Sequence, residues 1–237
     1  MAGTFLSAEW RSLVMLNYEV PAEVLLPRVP KGTELDLFQG RALVSVVGFR
    51  FLKTKVLGAA IPGYRDFDEV NLRFYVRALA DITRRGVVFV KEIVPHRAIA
   101  WTARALYNEN YFAHPMRSQV EPVGDDHRYT YGFDAHGRSH ALSATTHGAA
   151  RPLAAGSEEE FIAEHYYGYA TQRDGGTLEY RVEHEPWDVH AVQHAALELD
   201  GAAVYGEAFC APLAAPPRSA LVAVGSPIRV AKPLRIA

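Results

Sequence analysis

Three consecutive segments in the middle of the chain constrain its fold more than any other part of the sequence. They are Asp68–Val76, Arg85–Pro95 and Ile99–Tyr111, each rich in Val, Ile, Phe and Tyr and bounded by Gly, Pro or charged residues. This composition and these boundaries are typical of half-buried β-strands. The three segments therefore predict neighbouring strands of one sheet or barrel.

The first of these segments carries polar side chains in a regular row. Because successive side chains of a strand point to opposite faces, one face is polar and the other apolar: Glu69, Asn71, Arg73 and Tyr75 against Val70, Leu72, Phe74 and Val76. An acid, an amide and a guanidinium in one row suit the binding of a carboxylate or a carbonyl group. The alternative is the solvated outer face of an edge strand, and the pattern leaves both open.

The second segment places a lysine on an apolar strand face. Lys91 is in phase with Val87, Phe89 and Ile93 if the strand alternates regularly. Removal of an ammonium group from water lowers its pKa and frees the amine, so Lys91 is a candidate nucleophile. The alternative is a lysine near the strand end that reaches water or pairs with a carboxylate.

The rest of the chain predicts a mainly β protein with a few short helices. Phe5–Val20 fits either a helix or a strand, Ser157 begins a helix with a capping box, and His190–Leu199 fits a second short helix. Further strand signals lie at Ala42–Leu52, Arg128–Phe133, Arg138–His147, Leu178–Glu185 and Ser219–Val224. Without regular alternation of strand and helix, a doubly wound sheet is excluded. We predict a single domain over 1–237, a mostly antiparallel, closed or nearly closed β-barrel that can enclose a small ligand.

Composition excludes several classes of function. The net charge is −2 and no basic cluster stands out, which disfavours nucleic acids and anionic membranes as partners. No stretch approaches the roughly 20 apolar residues of a membrane helix, and the start of the chain lacks the features of a secretion signal. Because Cys210 is the only cysteine, no intrachain disulfide can form, and we expect a cytoplasmic protein. The sequence leaves open whether the chain forms a homo-oligomer.

Cofactor motifs give no positive signal. Glycine-rich nucleotide loops and a Gly-x-Ser-x-Gly elbow are missing from the sequence. His190 and His194 are four residues apart, but the acid of a zinc-binding helix motif does not accompany them. We therefore predict neither a metal nor another cofactor.

Several strings of the chain resemble the YqjF-like bacterial proteins, the family of domain of unknown function 2071. The likeness runs from about Trp10 to Val230 and lies in FDEVNLRFYVR, RRGVVFVKEIVP, RALYNENY, GSEEEFIAEHYYGY, LEYRVEHEPW and PPRSALVAVGSPIRV. This family is placed in the acetoacetate decarboxylase-like superfamily, which implies a β-barrel with an internal small-molecule pocket. The decarboxylase uses a buried lysine that forms a Schiff base with a keto acid. By this resemblance Tyr111 stands where that lysine would, with Phe112 beside it, and a phenol cannot form an imine.

Other polar residues are candidates for the same pocket. Glu109 and Tyr111 follow Arg104 on the third segment and are predicted to line the pocket mouth, although the NEN sequence also fits ordinary turn chemistry. Glu164 and His165, and His184 between two glutamates, offer acid and base groups or structural hydrogen bonds. The full set of predicted ligand-binding residues is Glu69, Asn71, Arg73, Arg104, Glu109, Tyr111 and His184.

We therefore predict a small-molecule-binding barrel for a small carboxylate or carbonyl compound, without the usual Schiff-base lysine. In an enzyme of this kind, Arg73 would orient the anion and Glu69 or Glu164 would transfer a proton, with Lys91 as a further candidate nucleophile. The alternative is a binding or interaction module without turnover. The sequence does not decide between them.

Overall fold

The computed structural model describes residues 3–237, the side chains at 106 and 107 excepted. The strands are β1 (Thr4–Val20), β2 (Thr33–Leu35), β3 (Ala42–Val56), β4 (Phe67–Ala78), β5 (Arg85–Val94), β6 (Tyr111–Ala113), β7 (Met116–Val123), β8 (Asp126–Ala135), β9 (Arg138–Arg151), β10 (Tyr167–Thr171), β11 (Thr177–His184), β12 (Val189–Glu198), β13 (Ser219–Ala223), β14 (Pro227–Ala231) and β15 (Leu234–Arg235). The helices are α1 (Ala22–Leu25), α2 (Arg97–Tyr107), α3 (Glu158–Ala163), α4 (Gly201–Tyr205) and α5 (Cys210–Ala214). Two 3₁₀ turns lie at Leu26–Arg28 and Glu207–Phe209.

Seven strands within residues 3–237 form a closed ring, in the order β1, β3, β4, β5, β10, β11, β14 and back to β1. All pairings in the ring are antiparallel except that of β5 with β10, which is parallel over two residue pairs. The prediction of a mainly β, mostly antiparallel barrel is therefore confirmed. The first segment, which the sequence left open between helix and strand, is the 17-residue β1.

The length of β1 allows it to belong to two parts of the sheet. Its first half pairs with β14 in the ring, and its second half pairs with β13, from which β12, β9, β8 and β7 continue as an antiparallel arm. Side chains of the arm and the outer face of the barrel share one hydrophobic core, in which Phe133 and Leu142 meet Val14, Leu72 and Phe74. The outward apolar face of β4 is thus buried under the arm.

A glycine allows the arm to approach the barrel wall closely. A Cβ added at Gly48 of β3 would lie 2.8 Å from the ring of Tyr131 of β8. The Tyr131 hydroxyl donates a hydrogen bond of 2.8 Å to the carbonyl of Ser12, in β1. Tyr131 therefore holds the arm against two strands of the ring.

Two of the predicted elements were wrong. The third central segment, Ile99–Tyr111, is not a strand: α2 occupies most of it, ends at Asn108 in the left-handed conformation (φ 54°), and only Tyr111 begins a short strand. Its alanines, leucine and arginines are good helix formers, and Asn tolerates the left-handed end. The helix predicted over His190–Leu199 is strand β12, whose pairing with β9 has two irregularities that disturb the alternation of side chains.

Two local predictions were correct. Ser157 caps α3, accepting a hydrogen bond of 3.1 Å from the backbone nitrogen of Glu160. The segments at Arg128–Phe133 and Arg138–His147 form the predicted β8–β9 hairpin. The sequence predicts a four-residue turn over Asp134–Gly137, but Asp134 and Ala135 still pair with β9, and the chain turns at His136 and Gly137 alone, both with positive φ. In the part of the chain that the structure describes, no helix is long and apolar enough to cross a bilayer.

Candidate functional site

The barrel encloses a cavity of about 300 Å³. Its walls are largely aromatic and aliphatic, with Trp10, Phe49, Phe51, Phe67 and Trp187 among the residues that line it. The non-strand elements α2 and the loop 57–66 complete the lining, the helix with Ile99 and Ala103 and the loop with Ile61 and Tyr64. The volume and the apolar walls are those of a small-molecule site.

The polar row of β4 faces this cavity. Glu69, Asn71 and Arg73 all line it and are at most 8% exposed, whereas Val70 and Leu72 lie in the core under the arm. Since β4 pairs with β3 on one side and with β5 on the other, it is not the edge strand of the alternative interpretation. The row therefore brings an acid, an amide and a guanidinium to the inside of the barrel.

Three buried carboxyl groups and two tyrosines meet at one part of the cavity. Glu69 accepts hydrogen bonds from Asn71 Nδ2 (2.9 Å) and from the Tyr111 hydroxyl (3.1 Å). Glu109 accepts one of 2.9 Å from the Tyr180 hydroxyl, and Glu92 Oε2 has no hydrogen-bond partner among the described residues. Together Glu69, Glu92 and Glu109 form an acid cluster.

Burial makes the acid cluster hard to ionise. It raises the pKa of Glu69 to about 7 and that of Glu109 to about 8, against the hydrogen bonds that lower them. The pKa of Glu92 is raised well above its usual range, first by burial and then by the charges of the other two carboxyls. Within the described residues no Lys or Arg pairs with any of the three. Near neutral pH these groups therefore hold protons that they can donate.

A β-bulge brings Glu92 into the cluster and turns Lys91 away. Leu72 pairs with Lys91 but Arg73 pairs with Phe89, so Val90 is an extra residue in β5. The alternation assumed in the sequence shifts by one after Val90. Lys91 consequently does not line the cavity: its ammonium donates to the carbonyl of Val204 and lies 4.6 Å from the Phe112 ring centre. The prediction that Lys91 shares a face with Val87 and Phe89 was wrong.

A second polar group lies around Arg73. Its Nη2 donates to the carbonyl of Ile162 (3.0 Å), and its Nε has no partner among the described residues. His165, two residues beyond α3, also lines the cavity, and its Nε2 lies 3.1 Å from Asp36 Oδ2. His184 lines it as well and stacks on Trp187, with ring centres 4.3 Å apart.

Two predicted residues lie elsewhere. Arg104 is on the exposed side of α2, where its Nε donates to the carbonyl of Ala100 (3.2 Å), and it does not line the cavity. Glu164 accepts a hydrogen bond from the Tyr166 hydroxyl and is likewise outside the lining. The neighbouring His165 faces the cavity in place of Glu164. Arg104 was predicted to bind the ligand on a strand over Ile99–Tyr111, whereas the chain forms α2 there.

The lysines and Tyr111 determine whether the cavity can form an imine. Among the described residues, no lysine lines the cavity, and Tyr111 does line it. The pKa of Tyr111 is raised well above its usual range by burial and by the nearby glutamates, so its hydroxyl remains a neutral donor. Within the same residues, no group of three or more His, Cys, Asp or Glu side chains is arranged to hold a metal ion.

Comparison with known sequences matches this chain to one family. A model of the family DUF2071, described as an uncharacterised conserved protein, matches residues 7–227. The protein YqjF of Bacillus subtilis (strain 168), also described as uncharacterised, is 30% identical over 199 residues, which cover 80% of this chain and 76% of YqjF.

Comparison with solved structures matches the fold to decarboxylase-like enzymes. The enduracididine biosynthesis enzyme MppR, complexed with pyruvate, superposes with a TM-score of 0.70 at 14% identity, covering 100% of this chain and 91% of that one. An acetoacetate decarboxylase-like enzyme from Sphingomonas wittichii RW1 gives 0.68 at 14% identity, with coverage of 99% and 94%. The acetoacetate decarboxylase of Legionella pneumophila gives 0.66 at 13% identity, with coverage of 100% and 88%.

Proposed function

Because the chain belongs to the DUF2071 family and has the acetoacetate decarboxylase-like fold, we propose that its barrel binds a small carbonyl or carboxylate compound. The observation that carries the proposal is the convergence of Glu69, Asn71, Arg73, Glu109 and Tyr111 on one cavity inside the barrel. Buried polar groups of this kind cost free energy unless something pairs with them. A ligand with oxygen atoms at its ends supplies those partners.

The two polar parts of the cavity suit different groups of such a ligand. Arg73 is the one arginine in the lining among the described residues, and its free Nε–H is a donor for a carboxylate. A protonated Glu69 donates to a carbonyl oxygen, while the neutral Tyr111 hydroxyl donates to Glu69 and holds that carboxyl in place. Because Arg73 and Glu69 are four residues apart on one strand, their Cα atoms lie about 13 Å apart. A ligand that reaches both has its two polar groups at opposite ends.

The chemistry that we propose for this site does not pass through a lysine imine. An imine requires an amine in the cavity, and no lysine of the described residues is in the lining. Proton transfer is available, because a carboxyl with a pKa near the working pH can both give and take a proton. The binding module without turnover is the second candidate, and the missing lysine is the observation in its favour.

Thermal unfolding of the full chain with a panel of keto acids, aldehydes and aromatic carboxylates tests the proposal. A bound ligand at about 100 times its Kd stabilises a protein by about 2.7 kcal/mol, which raises Tm by several degrees in a chain of this size. We expect a carboxylate or carbonyl compound to raise Tm of the wild type, and Arg73→Gln or Glu69→Gln to reduce that shift.

Matched changes outside the cavity serve as controls. Arg77→Gln and Glu34→Gln break an ion pair of 2.8 Å at the β2–β4 pairing, away from the lining, and should leave the ligand shift unchanged. If no compound of the panel raises Tm, or if Arg73→Gln and Glu69→Gln respond like these controls, the proposed function is contradicted. Turnover of a bound compound, followed by NMR of the mixture, separates the enzyme from the binding module.

A further inference from the structure

His165 is fully buried, and one of its two ring nitrogens has no hydrogen-bond partner among the described residues. Its side chain has no exposed surface, and its ring packs between Tyr75 and Phe161, with ring centres at 4.7 and 5.1 Å. Nε2 lies 3.1 Å from Asp36 Oδ2, while Nδ1 has no hydrogen-bond partner among the described residues. Since the residue lines the cavity, Nδ1 is the part of His165 left for a ligand.

The partners of Asp36 decide where the proton of His165 lies. Asp36 also accepts a hydrogen bond of 2.6 Å from Arg85 Nε. Burial alone would raise the pKa of Asp36, but the bonds from His165 and Arg85 outweigh it and lower that pKa, so the carboxylate is ionised. An ionised carboxylate only accepts, so Nε2 carries the hydrogen and Nδ1 is a bare acceptor.

His165 stays in this neutral form over the physiological range. Burial lowers the pKa of His165 to about 4, and the charges of Arg85 and Arg73 also lower it. The hydrogen bond and the charge of Asp36 raise this pKa but do not outweigh the other effects. The titratable and charged groups that face it are Asp36, Arg85, Arg73 and the Tyr75 phenol.

The guanidinium of Arg73 and the ring of His165 lie against the same tyrosine ring. The guanidinium carbon of Arg73 is 5.6 Å from the centre of the same Tyr75 ring against which His165 packs, and its Nε has no partner among the described residues. Arg73 also bonds to the carbonyl of Ile162, three residues before His165. A ligand that pairs with both groups needs two features. It needs a hydrogen-bond acceptor for Arg73, preferably an anionic one, and a neighbouring O–H or N–H donor for His165 Nδ1.

We propose that this end of the cavity recognises a hydroxy acid, whose carboxylate lies on Arg73 and whose hydroxyl donates a hydrogen bond to His165 Nδ1. The inference rests on the proposed function and makes it narrower, from a carboxylate or carbonyl compound to an acid that carries a hydroxyl. Asp36 acts as a positioning residue, because it holds the tautomer in which Nδ1 is an acceptor.

Phenyllactate and phenylpropionate form a matched pair of probes, since they share the aromatic body and the carboxylate and differ by one hydroxyl. Titration calorimetry on the full chain should give a lower Kd for phenyllactate by about tenfold, the value of one hydrogen bond to a buried acceptor. In His165→Gln, the side-chain amide can still donate to Asp36 but leaves no acceptor at Nδ1. That variant should lose the tenfold preference and bind phenylpropionate like the wild type.

Two further variants distinguish recognition from a general structural effect. His165→Asn returns an oxygen to the position of Nδ1 and should restore part of the preference. Asp36→Asn allows the other tautomer, which puts N–H on the cavity side, and should lower the preference without abolishing binding of phenylpropionate. Circular dichroism and Tm check the fold of each variant.

Nitrogen NMR of the histidines in the wild type keeps the test independent of how the variants fold. We expect His165 Nδ1 to be unprotonated in the free protein and to shift with phenyllactate but not with phenylpropionate. Equal affinity of the wild type for both acids, an unchanged preference in His165→Gln, or a protonated Nδ1 would overturn this inference and leave the proposed function standing. If neither these acids nor the wider panel binds, the proposed function fails, and this inference with it.

Discussion

The acid cluster shows how a single residue type changes its chemistry when burial is not offset by a cation. Glu69 and Glu109 are buried, and their nearest polar partners are an amide and two phenols, which are neutral. An arginine in that position would hold a carboxylate ionised and acceptor-only. With neutral partners the same side chain titrates near neutrality and can donate a proton or a hydrogen bond.

This shift predicts that stability falls as the pH rises. A carboxyl whose pKa is raised in the folded state, here Glu109 from 4.5 to about 8, holds its proton longer than it does in the unfolded chain. Its contribution to stability is therefore complete below about pH 4.5 and is lost as the pH rises to about 8, by about 1.4 kcal/mol per pH unit. Urea unfolding across this range should give a steeper decline for the wild type than for Glu109→Gln.

The comparison with the variant removes the contributions of other groups. His165, for example, has a lowered pKa and acts in the opposite direction below about pH 6.5. Glu121→Gln is the matched control, because Glu121 is exposed on β7 and its carboxyl stays in water. Identical pH dependence for Glu109→Gln and the wild type would mean that Glu109 is ionised in the fold.

At the scale of the element, one bulge in β5 decides which side chain enters the barrel. Val90 is the extra residue, and the neighbours Lys91 and Glu92 take opposite faces from those of a regular strand. The ammonium lies outside the cavity on the Val204 carbonyl, and the carboxyl lies inside with the acid cluster. The cavity thus receives an acid where the sequence alternation predicts a base.

This arrangement predicts opposite effects on stability for two neighbouring substitutions. Glu92→Gln removes a carboxyl that must stay protonated in the fold, so at about pH 8 it should raise the free energy of unfolding. Lys91→Gln loses the bond to the Val204 carbonyl and should lower it by about 1 kcal/mol. Urea unfolding of both variants at that pH is the measurement. A destabilised Glu92→Gln together with an unaffected Lys91→Gln would contradict the bulge.

The same element explains how far the sequence predicts the site. β4 has no bulge in its pairing with β3, so the simple alternation of polar and apolar residues places Glu69, Asn71 and Arg73 on the observed face. In β5 the amino-acid sequence does not identify Val90 as the extra residue of a bulge, because a bulge is set by pairing with the neighbouring strand. Glu92 was missed for that reason.

Other parts of the site depend on tertiary contacts that a sequence does not display. His165 appeared only as one of several acid or base candidates, since its significance comes from Asp36, which is 129 residues away in the chain. The prediction for Arg104 depends on a strand over Ile99–Tyr111, where the chain forms α2. Alternating apolar and polar residues do not distinguish a strand from a helix over so short a segment. The barrel itself was predictable, because its many short strands each carry a local signal.

At the scale of the whole molecule, β1 joins the barrel and the arm into one unit. It pairs with β3 and β14 in the ring and with β13 at the base of the arm. The apolar outer face of the barrel is covered by β8 and β9, so this face and the arm are buried against each other. A chain of 237 residues could form two domains, but these contacts favour one.

We therefore predict that Tyr131→Ala destabilises the barrel as well as the arm. Removal of this buried ring from its place against Gly48 should lower the free energy of unfolding by about 3–5 kcal/mol. Tryptophan fluorescence reports on the barrel, where Trp10 and Trp187 line the cavity, and hydrogen exchange of the β8–β9 amides reports on the arm. The unfolding midpoints reported by the two probes should move to lower denaturant concentration by the same amount, because the shared strand β1 couples the barrel and the arm. Loss of protection in the arm at a denaturant concentration that leaves the fluorescence of the barrel unchanged would identify two separately stable units and refute the single domain.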